Sequence, residues 1–385
     1  MVKTLAENQK ASPTESKSKA VLEFQPVDLS RFPAVDALLT RLGVGPFIRE
    51  SLSAPVGRND VWTGRTQGGR SIFVKRLVGP SADVRERMSR LLSFERFLGD
   101  NPAFAPHAPA FLGSDLAADL VVFESVEDAK TGARLMVDED FDEDLAERLG
   151  RVIGTLHDAD PGIGDHIDRS PPLLPELSLL EGLPLPVFDG LTFAGLSAWR
   201  LMQQDSDLTT AIGKQLERES VAPRVPSHCD FRVDQILVSD VIRVTDWEEF
   251  RLADPARDVG AFAGEWLYRS VLDIVTSRGD ADSSFIDLEL THEQVLARGA
   301  EKLERLLPLV HAFWRGYRSV RKDIDDAMPV RATAFAGWHL LDRLIAGAAG
   351  SARLSGIERA AAGVGRRALM DPHRFAATLG FEESW

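Results

Sequence analysis

The strand-like and helix-like segments of this chain are separated along the sequence. Before about residue 126, short apolar runs alternate with turns rich in Gly, Asn and Asp. These runs predict strands at residues 51–56, 60–65, 70–77, 110–112 and 120–123. After residue 126 the apolar residues recur at helical spacing, apart from a predicted hairpin at 236–244. This order favours an α+β chain in which a small antiparallel-sheet lobe precedes a larger, mostly helical lobe.

The predicted boundaries follow from the same patterns. Residues 1–24 are rich in Lys, Ser, Glu and Ala with little apolar periodicity, so we expect a disordered tail there. The first lobe is assigned to residues 25–126 and the second to residues 127–385. A hinge between the lobes is expected near residues 124–128.

The charge and cysteine content exclude several classes of protein. The 385 residues carry a formal net charge of −14, which argues against a protein that coats nucleic acid. The only cysteine, Cys229, cannot form an internal disulfide, and no apolar run approaches the roughly 20 residues needed to cross a bilayer. The apolar core of a signal peptide is also missing. We therefore expect a cytoplasmic protein with neither nucleic acid nor a membrane as partner.

Lys75 is predicted to lie in an apolar setting that requires an anionic partner. Alternation along its strand places it on one face with Phe73 and Leu77. Glu95 falls near the middle of the apolar stripe of a helix predicted at 81–98. An ion pair between Lys75 and Glu95 would satisfy both charges, in the way that kinases hold a lysine against nucleotide phosphates. Alternatively, Lys75 extends to water and Glu95 is solvated at the helix edge.

A polar turn between two of the predicted strands is a candidate for contact with phosphate groups. It contains Gly57, Arg58 and Asn59, and its backbone N–H groups would cover the phosphates. Arg58 would add a charged contact. The G-x-G-x-x-G spacing is incomplete, so an ordinary hairpin turn remains the alternative.

The sequence Ser-His-Cys-Asp-Phe-Arg-Val-Asp-Gln at residues 227–235 resembles a kinase catalytic loop. In such a loop, Asp230 accepts or orients the proton of an attacking hydroxyl group, and Arg232 contacts the transferred phosphate. Gln235 lies at the position that approaches a metal ion.

The hairpin after this loop predicts the position of a second carboxylate. With residues 239–240 as a two-residue turn, Gln235 lies opposite Val244. Val233 then lies opposite Asp246, which brings this carboxylate next to the end of the loop. Mg²⁺ prefers oxygen ligands and shares them with substrate phosphates, so Asp246 is the predicted principal ligand and Gln235 a neutral second ligand.

Three further polar residues near the loop have structural alternatives. His228 has no second His or Cys at zinc-ligand spacing, which favours a role in orienting the loop over one as a base or metal ligand. Cys229 is interpreted as a small buried residue rather than a nucleophile. Asp258 either hydrogen-bonds back to the loop or interacts only with the dipole of the helix that it opens.

These features resemble the aminoglycoside phosphotransferase and choline kinase superfamily over about residues 45–350. The resemblance is carried, in kinase order, by Lys75, Glu95, the His-Cys-Asp sequence that ends at Asp230 and the Asp-Trp-Glu sequence that begins at Asp246. It implies a protein-kinase-like two-lobed fold with ATP and Mg²⁺ as cofactors, and it places Glu124 and Val126 of the hinge among the nucleotide contacts.

Longer strings are similar to a narrower group, the kinase-like subunit of class V lanthipeptide and thioamitide synthetases. They are GRND at 57–60, FVKRL at 73–77, TDWEEF at 245–250 and DPARDVGAFAGEWLY at 254–268. This resemblance implies phosphorylation of Ser or Thr side chains in a ribosomal precursor peptide that consists of a leader and a core. It also implies a separate lyase of the HopA-effector type, which eliminates phosphate to give dehydroamino acids.

The sequence departs from the superfamily pattern at two positions. Gln235 stands where these loops usually have Asn, and Cys229 stands where they often have Gly. The longer side chain of Gln235 would move a bound metal by about the length of a methylene group, which can be costly for catalysis.

Two alternatives to a peptide kinase therefore stay open. One is a small-molecule kinase for an aminoglycoside, choline or a sugar, and the other is a pseudokinase scaffold that binds leader peptide.

Overall fold

A computed structural model describes residues 28–55, 57–162, 166–276 and 292–381 of the chain. The predicted tail at 1–24 lies outside these residues, and so does Val56. Within them, no helix is both long and apolar enough to cross a membrane.

The first lobe is built on a four-stranded antiparallel sheet with the strand order β1–β2–β4–β3. Its elements are α1 (Pro33–Arg41), β1 (Asp60–Arg65), β2 (Ser71–Arg76), α2 (Ser81–Asp100), β3 (Phe111–Asp115) and β4 (Leu120–Glu124). Because side chains alternate along a strand, Ile72 and Val74 of β2 join a core with α1, whereas Leu77 packs with α2. The same alternation places Lys75 on the α2 side of the sheet.

The strand predicted at 51–56 is wrong. Residues Arg49–Ser51 form a turn of 3₁₀ helix, and Ser53 makes only an isolated bridge to Thr63 of β1. Pro55 lacks a backbone N–H group and cannot donate a ladder hydrogen bond, so an extended segment here does not continue the sheet.

The second lobe is mostly helical. Its helices are α3 (Gly132–Asp138), α4 (Glu143–Asp158), α5 (Leu177–Glu181), α6 (Leu185–Asp189), α7 (Phe193–Gln203), α8 (Ser206–Ser220), α9 (Ala256–Leu272), α10 (His292–Val320), α11 (Met328–Ala349), α12 (Gly356–Met370) and α13 (Pro372–Thr378). Its short strands are β5 (Lys130–Thr131), β6 (Val225–Ser227), β7 (Ile236–Val238), β8 (Ile242–Val244) and β9 (Arg251–Ala253). Helices α4 and α10 approach so closely that a side chain at Gly150 or Gly316 would collide with the opposite backbone.

The predicted hairpin is present as β7 and β8, but its register differs by one residue. Val238 pairs with Ile242 rather than with Val241. A two-residue turn requires residues that tolerate positive φ, and neither Ser239 nor Asp240 adopts it. The predicted oppositions of Gln235 to Val244 and of Val233 to Asp246 are therefore wrong, and Asp246 follows the end of the ladder.

Candidate active site

The loop at 228–235 connects β6 to β7 and is held from behind by Asp258, in the first turn of α9. The Oδ2 atom of Asp258 accepts a hydrogen bond from the backbone N–H of His228 at 2.7 Å, and Oδ1 accepts one from Cys229 at 2.8 Å. Asp258 is completely buried. The structure confirms the predicted hydrogen bond from Asp258 back to the loop, and it fixes the backbone immediately before Asp230.

Asp258 contacts a buried histidine that was not predicted from the sequence. His157, on the apolar side of α4, has Nε2 3.0 Å from Asp258 Oδ2 and Nδ1 3.0 Å from the Tyr317 hydroxyl. Burial lowers the pKa of His157 and raises that of Tyr317. The consistent arrangement is a neutral imidazole that donates from Nε2 to Asp258 and accepts the Tyr317 proton at Nδ1.

His228 makes two hydrogen bonds that orient the loop, as predicted. Its Nδ1 atom accepts from the backbone N–H of Asp230 at 3.3 Å, and its Nε2 atom lies 2.9 Å from the carbonyl oxygen of Thr245. No group of three or more His, Cys, Asp or Glu residues in the described ranges forms a metal-binding cluster.

The carboxylate of Asp230 is held by two side chains of its own loop. Arg232 Nη1 lies 3.3 and 3.2 Å from its two oxygens, and Gln235 Nε2 donates to Oδ2 at 3.1 Å. Burial raises the pKa of Asp230 even though the charge of Arg232 opposes this, and the nearby negative charge of Asp246 adds to the rise. A carboxylate with a raised pKa is a stronger base, which suits the proton-accepting role predicted for Asp230.

Gln235 is buried and ties the loop together. Its Oε1 atom accepts from the backbone N–H of Arg232 at 3.1 Å while its amide group donates to Asp230. An amide oxygen has two acceptor sites, so one remains for a second interaction. The structure therefore places Gln235 beside Asp230, and its predicted role as a metal ligand remains a prediction.

Lys75 has two carboxylate partners, and neither is Glu95. Its Nζ atom contacts Asp246 Oδ1 and lies 2.9 Å from Glu248 Oε2. Burial alone would lower the pKa of Lys75, but the two carboxylates outweigh this and raise it. Lys75 in turn holds the pKa of Asp246 below its usual range, in spite of burial. The predicted Lys75–Glu95 ion pair is therefore wrong, and the catalytic role of Glu95, which depends on that pair, remains a prediction that no contact supports.

Glu248 is the second acidic partner of Lys75, the role that the sequence analysis predicted for Glu95. This carboxylate is 5% exposed and binds Arg87 of α2 at 3.3 Å, Asn59 at 3.2 Å and Arg58 at 3.9 Å. Arg87 is completely buried on the apolar side of α2, so a cation rather than an anion faces the site from this helix. The sequence contains a signal for this pairing. Arg87 lies beside Met88 on the apolar side of the helix, and a cation in an apolar setting needs an acidic partner.

The other predicted nucleotide contacts lie at the edges of this region. Gly57 is exposed, and Arg58 binds Asp83 at 3.0 Å. Glu124 is exposed at the end of β4 and pairs with Arg70 at 2.9 Å, while Val126 is half-buried in the connection to β5. Their contacts with a nucleotide remain predictions.

A second polar cluster faces Asp230 from the helices α9 and α11. His339 Nε2 lies 3.0 Å from Glu265 Oε1, and this contact keeps the pKa of Glu265 low although burial would raise it. Arg343 is close enough to lower the pKa of both Glu265 and Asp230. These residues, which the sequence analysis did not predict, place charged groups near the catalytic loop.

The half-buried carboxyl group of Glu95 has a measurable effect on stability. Burial raises its pKa from 4.5 to about 7, so the folded chain binds this proton more tightly than the unfolded chain. The free energy of unfolding should therefore fall as the pH rises from about 4.5 to about 7. Relative to wild type, Glu95→Gln should unfold with a free energy up to about 3 kcal/mol higher at pH 8, with little difference near pH 4.5, in urea titrations. Glu86→Gln, on the exposed side of the same helix, is the control, and an equal gain at both pH values would contradict this assignment.

Cys229 occupies a backbone conformation that favours glycine. Its φ angle is +65°, a left-handed value that costs a residue with a Cβ atom roughly 1 kcal/mol. Burial raises the pKa of its thiol, so the group stays protonated and is a poor nucleophile. Cys229→Gly should keep full activity, whereas Cys229→Val should be less stable than the glycine variant by about 1–2 kcal/mol in urea unfolding. If the glycine variant were inactive and the valine variant active, the interpretation that this position favours glycine would be wrong.

Buried Lys75, the loop carboxylate of Asp230 and the carboxylate of Asp246 come together between a small sheet lobe and a helical lobe. This fold and site define a kinase-like phosphotransferase. Residues 57–312, more than half of the chain, match the phosphotransferase enzyme family, and the chain belongs to that family.

Solved structures with similar folds include two kinases of small molecules. Choline kinase LicA from Streptococcus pneumoniae has a TM-score of 0.51 at 14% identity, over 88% of this chain and 99% of that one. The aminoglycoside phosphotransferase APH(2'')-Ib, in its ADP-bound form, has a TM-score of 0.50 at 12% identity, over 88% and 98%. At these identities the similarity concerns the fold. No curated protein matches the chain.

Proposed function

We propose that this phosphotransferase uses ATP and Mg²⁺ to phosphorylate Ser or Thr hydroxyl groups of a ribosomal precursor peptide, and that a partner lyase then eliminates the phosphate. The observation that carries the phosphoryl-transfer part is the convergence of Asp230, Asp246 and Lys75. ATP is supported by the ADP-bound state of the aminoglycoside phosphotransferase with a similar fold.

The oxygen donors near Lys75 fit Mg²⁺. Asp246 contacts Lys75 through Oδ1, which leaves Oδ2, and the Oε1 atom of Gln235 keeps one acceptor site. Mg²⁺ needs only one or two protein oxygens when phosphates and water complete its shell. Bound there, the ion would neutralise charge on the phosphates.

The protein groups then have distinct tasks. Lys75 binds phosphate oxygens, and Asp230 accepts the proton of the acceptor hydroxyl as that oxygen bonds to the γ-phosphorus and the bond to the ADP oxygen breaks. Arg232, which already contacts Asp230, stabilises charge on the transferred group. Asp258 and His157 hold the loop backbone so that Asp230 keeps its position.

The peptide acceptor is supported by the resemblance of the strings at 57–60, 73–77, 245–250 and 254–268 to peptide-modifying kinases. The pairing of charged residues on the helices α9 and α11 also favours a peptide acceptor. Glu265 is paired with His339, and Asp342 is paired with Arg343 at 2.8 Å. Aminoglycosides are polycations, so a site for them is expected to offer carboxylates without a basic partner, whereas a Ser or Thr side chain is neutral.

A small-molecule acceptor is the second candidate, because the structures with similar folds include a choline kinase and an aminoglycoside phosphotransferase. The two functions can be separated by products. The chain is incubated with Mg-ATP and a candidate precursor peptide, with and without the lyase, and peptide masses are measured.

We expect one added phosphate per modified residue without the lyase and one lost water per residue with it. Release of ADP that depends on choline, a sugar or an aminoglycoside, with unaltered peptide in every reaction, would favour the small-molecule kinase instead.

A further inference from the structure

A large cavity lies in the second lobe, between the end of α10, the connection to α11, and α13. Its volume is about 890 Å³, within the range of pockets that bind small molecules. None of the residues placed in the active site lines it. A small molecule bound in it would therefore contact none of the active-site residues.

The wall of this cavity is strongly basic although the chain as a whole is acidic. Five cationic side chains line it: Arg218, Arg315, Arg318, Arg321 and Lys322. The lining carboxylates are Asp325 and Asp326; Asp325 is bound by Arg331 at 2.7 Å, and Arg315 of the lining is in turn bound by Glu147 at 2.8 Å. A cavity with this excess of positive charge attracts anions.

Arg321 is the strongest sign of a missing anionic ligand. The residue is 7% exposed, and its Nη1 atom donates to the carbonyl oxygen of His157. Within the described ranges, no carboxylate pairs with its guanidinium group, and its Nε atom has no hydrogen-bond partner. A buried cation is normally paired with an anion, because an isolated buried charge is costly.

Besides the charged residues, the lining contains the polar residues Ser319 and His373 and an apolar part. Trp314 is 3% exposed, and Ile324, Val330 and Phe381 also line the cavity. A ligand that fills this space therefore needs an apolar part as well as an anionic group.

We propose that this cavity binds a small molecule that carries a phosphate or carboxylate group next to an aromatic or other apolar group. Arg321 pairs with the anionic group, and the arginines and lysine at the rim add to its attraction. Trp314 and Phe381 pack against the apolar part.

The test is calorimetric titration of the full chain, without nucleotide or Mg²⁺, using phenyl phosphate and benzoate as probes. Tighter binding of phenyl phosphate would identify a phosphate ligand, and tighter binding of benzoate a carboxylate ligand. Arg321→Gln should weaken the tighter probe about tenfold or more. Because Arg321 is buried, the double variant Arg218→Glu and Lys322→Glu tests the same site through residues outside the core, with the same expected loss.

Lys75→Met, titrated at a temperature where its circular dichroism matches that of wild type, is the control for binding at the nucleotide site and should bind the probe like wild type. The proposal is overturned if neither probe binds wild type, if both basic-residue variants bind as well as wild type, or if Lys75→Met loses binding. The titration is repeated with a chain that ends at Phe381, because Glu382 and Glu383 follow this lining residue in sequence. Binding that appears only after this truncation would make the chain's own carboxylates the occupant and would also overturn the proposal.

Discussion

Asp230→Asn is expected to lower the rate of phosphoryl transfer by about 10²–10⁴-fold while leaving nucleotide affinity close to that of wild type. The substitution keeps the shape of the side chain and its contact with Gln235, but an amide cannot accept the proton of the acceptor hydroxyl. The measurement is kcat for peptide phosphorylation, together with calorimetric titration of ATP and of the peptide.

Asp240→Asn is the matched control, since Asp240 is an exposed aspartate in the adjoining hairpin turn. Loss of kcat in Asp230→Asn with retained peptide binding would exclude a purely scaffolding pseudokinase. Unchanged pathway activity in that variant would instead support the scaffold and remove Asp230 from the chemistry.

Glu248→Gln is expected to lower kcat/KM for ATP by about 10–100-fold, and Glu95→Gln to change it by less than about threefold. Glu248 is one of the two carboxylates that hold Lys75, and it also binds Arg87 and Asn59. Without its charge, Lys75 is positioned by Asp246 alone, and small misplacements of a phosphate-binding group are costly in rate. Glu95 contacts neither Lys75 nor Asp246, so its substitution should affect stability rather than catalysis.

Removing one partner of a buried ion pair also destabilises the fold, typically by about 3–5 kcal/mol. Kinetics of Glu248→Gln are therefore measured at a temperature where its circular dichroism matches that of wild type, and Glu248→Asp is tested for partial rescue. The reverse ranking, with Glu95→Gln impaired and Glu248→Gln normal, would restore the pairing expected from other kinases and would overturn the one seen here.

Local patterns predicted much of this protein. The strands β1 and β4 follow from apolar runs bounded by turns, and the loop that carries Asp230 was located from its sequence. Asp258 was recognised as a possible anchor of that loop, which the structure confirms. In each case the decisive information lies within a short segment, where periodicity, turn residues and motif spacing act directly on the backbone.

Such local patterns do not predict which residues pair when they are far apart in the sequence. The observed hairpin register differs from the predicted one by one residue because of turn geometry. Lys75 pairs with carboxylates more than 170 positions away in the sequence. A helix pattern shows that α2 has an apolar side, but it does not show that buried Arg87 would face the site while Lys75 would pair with residues other than Glu95.

The sequence by itself determined the two-lobed class of fold and the segments that carry the chemistry, because these depend on local propensity and on the order of the segments. Only the tertiary structure decided which acid binds Lys75, how His157 and Tyr317 support Asp258, and where a basic cavity forms. The physical reason is that a buried charge pairs with whichever opposite charge the packing of distant segments brings within hydrogen-bond distance, and no local pattern specifies that choice.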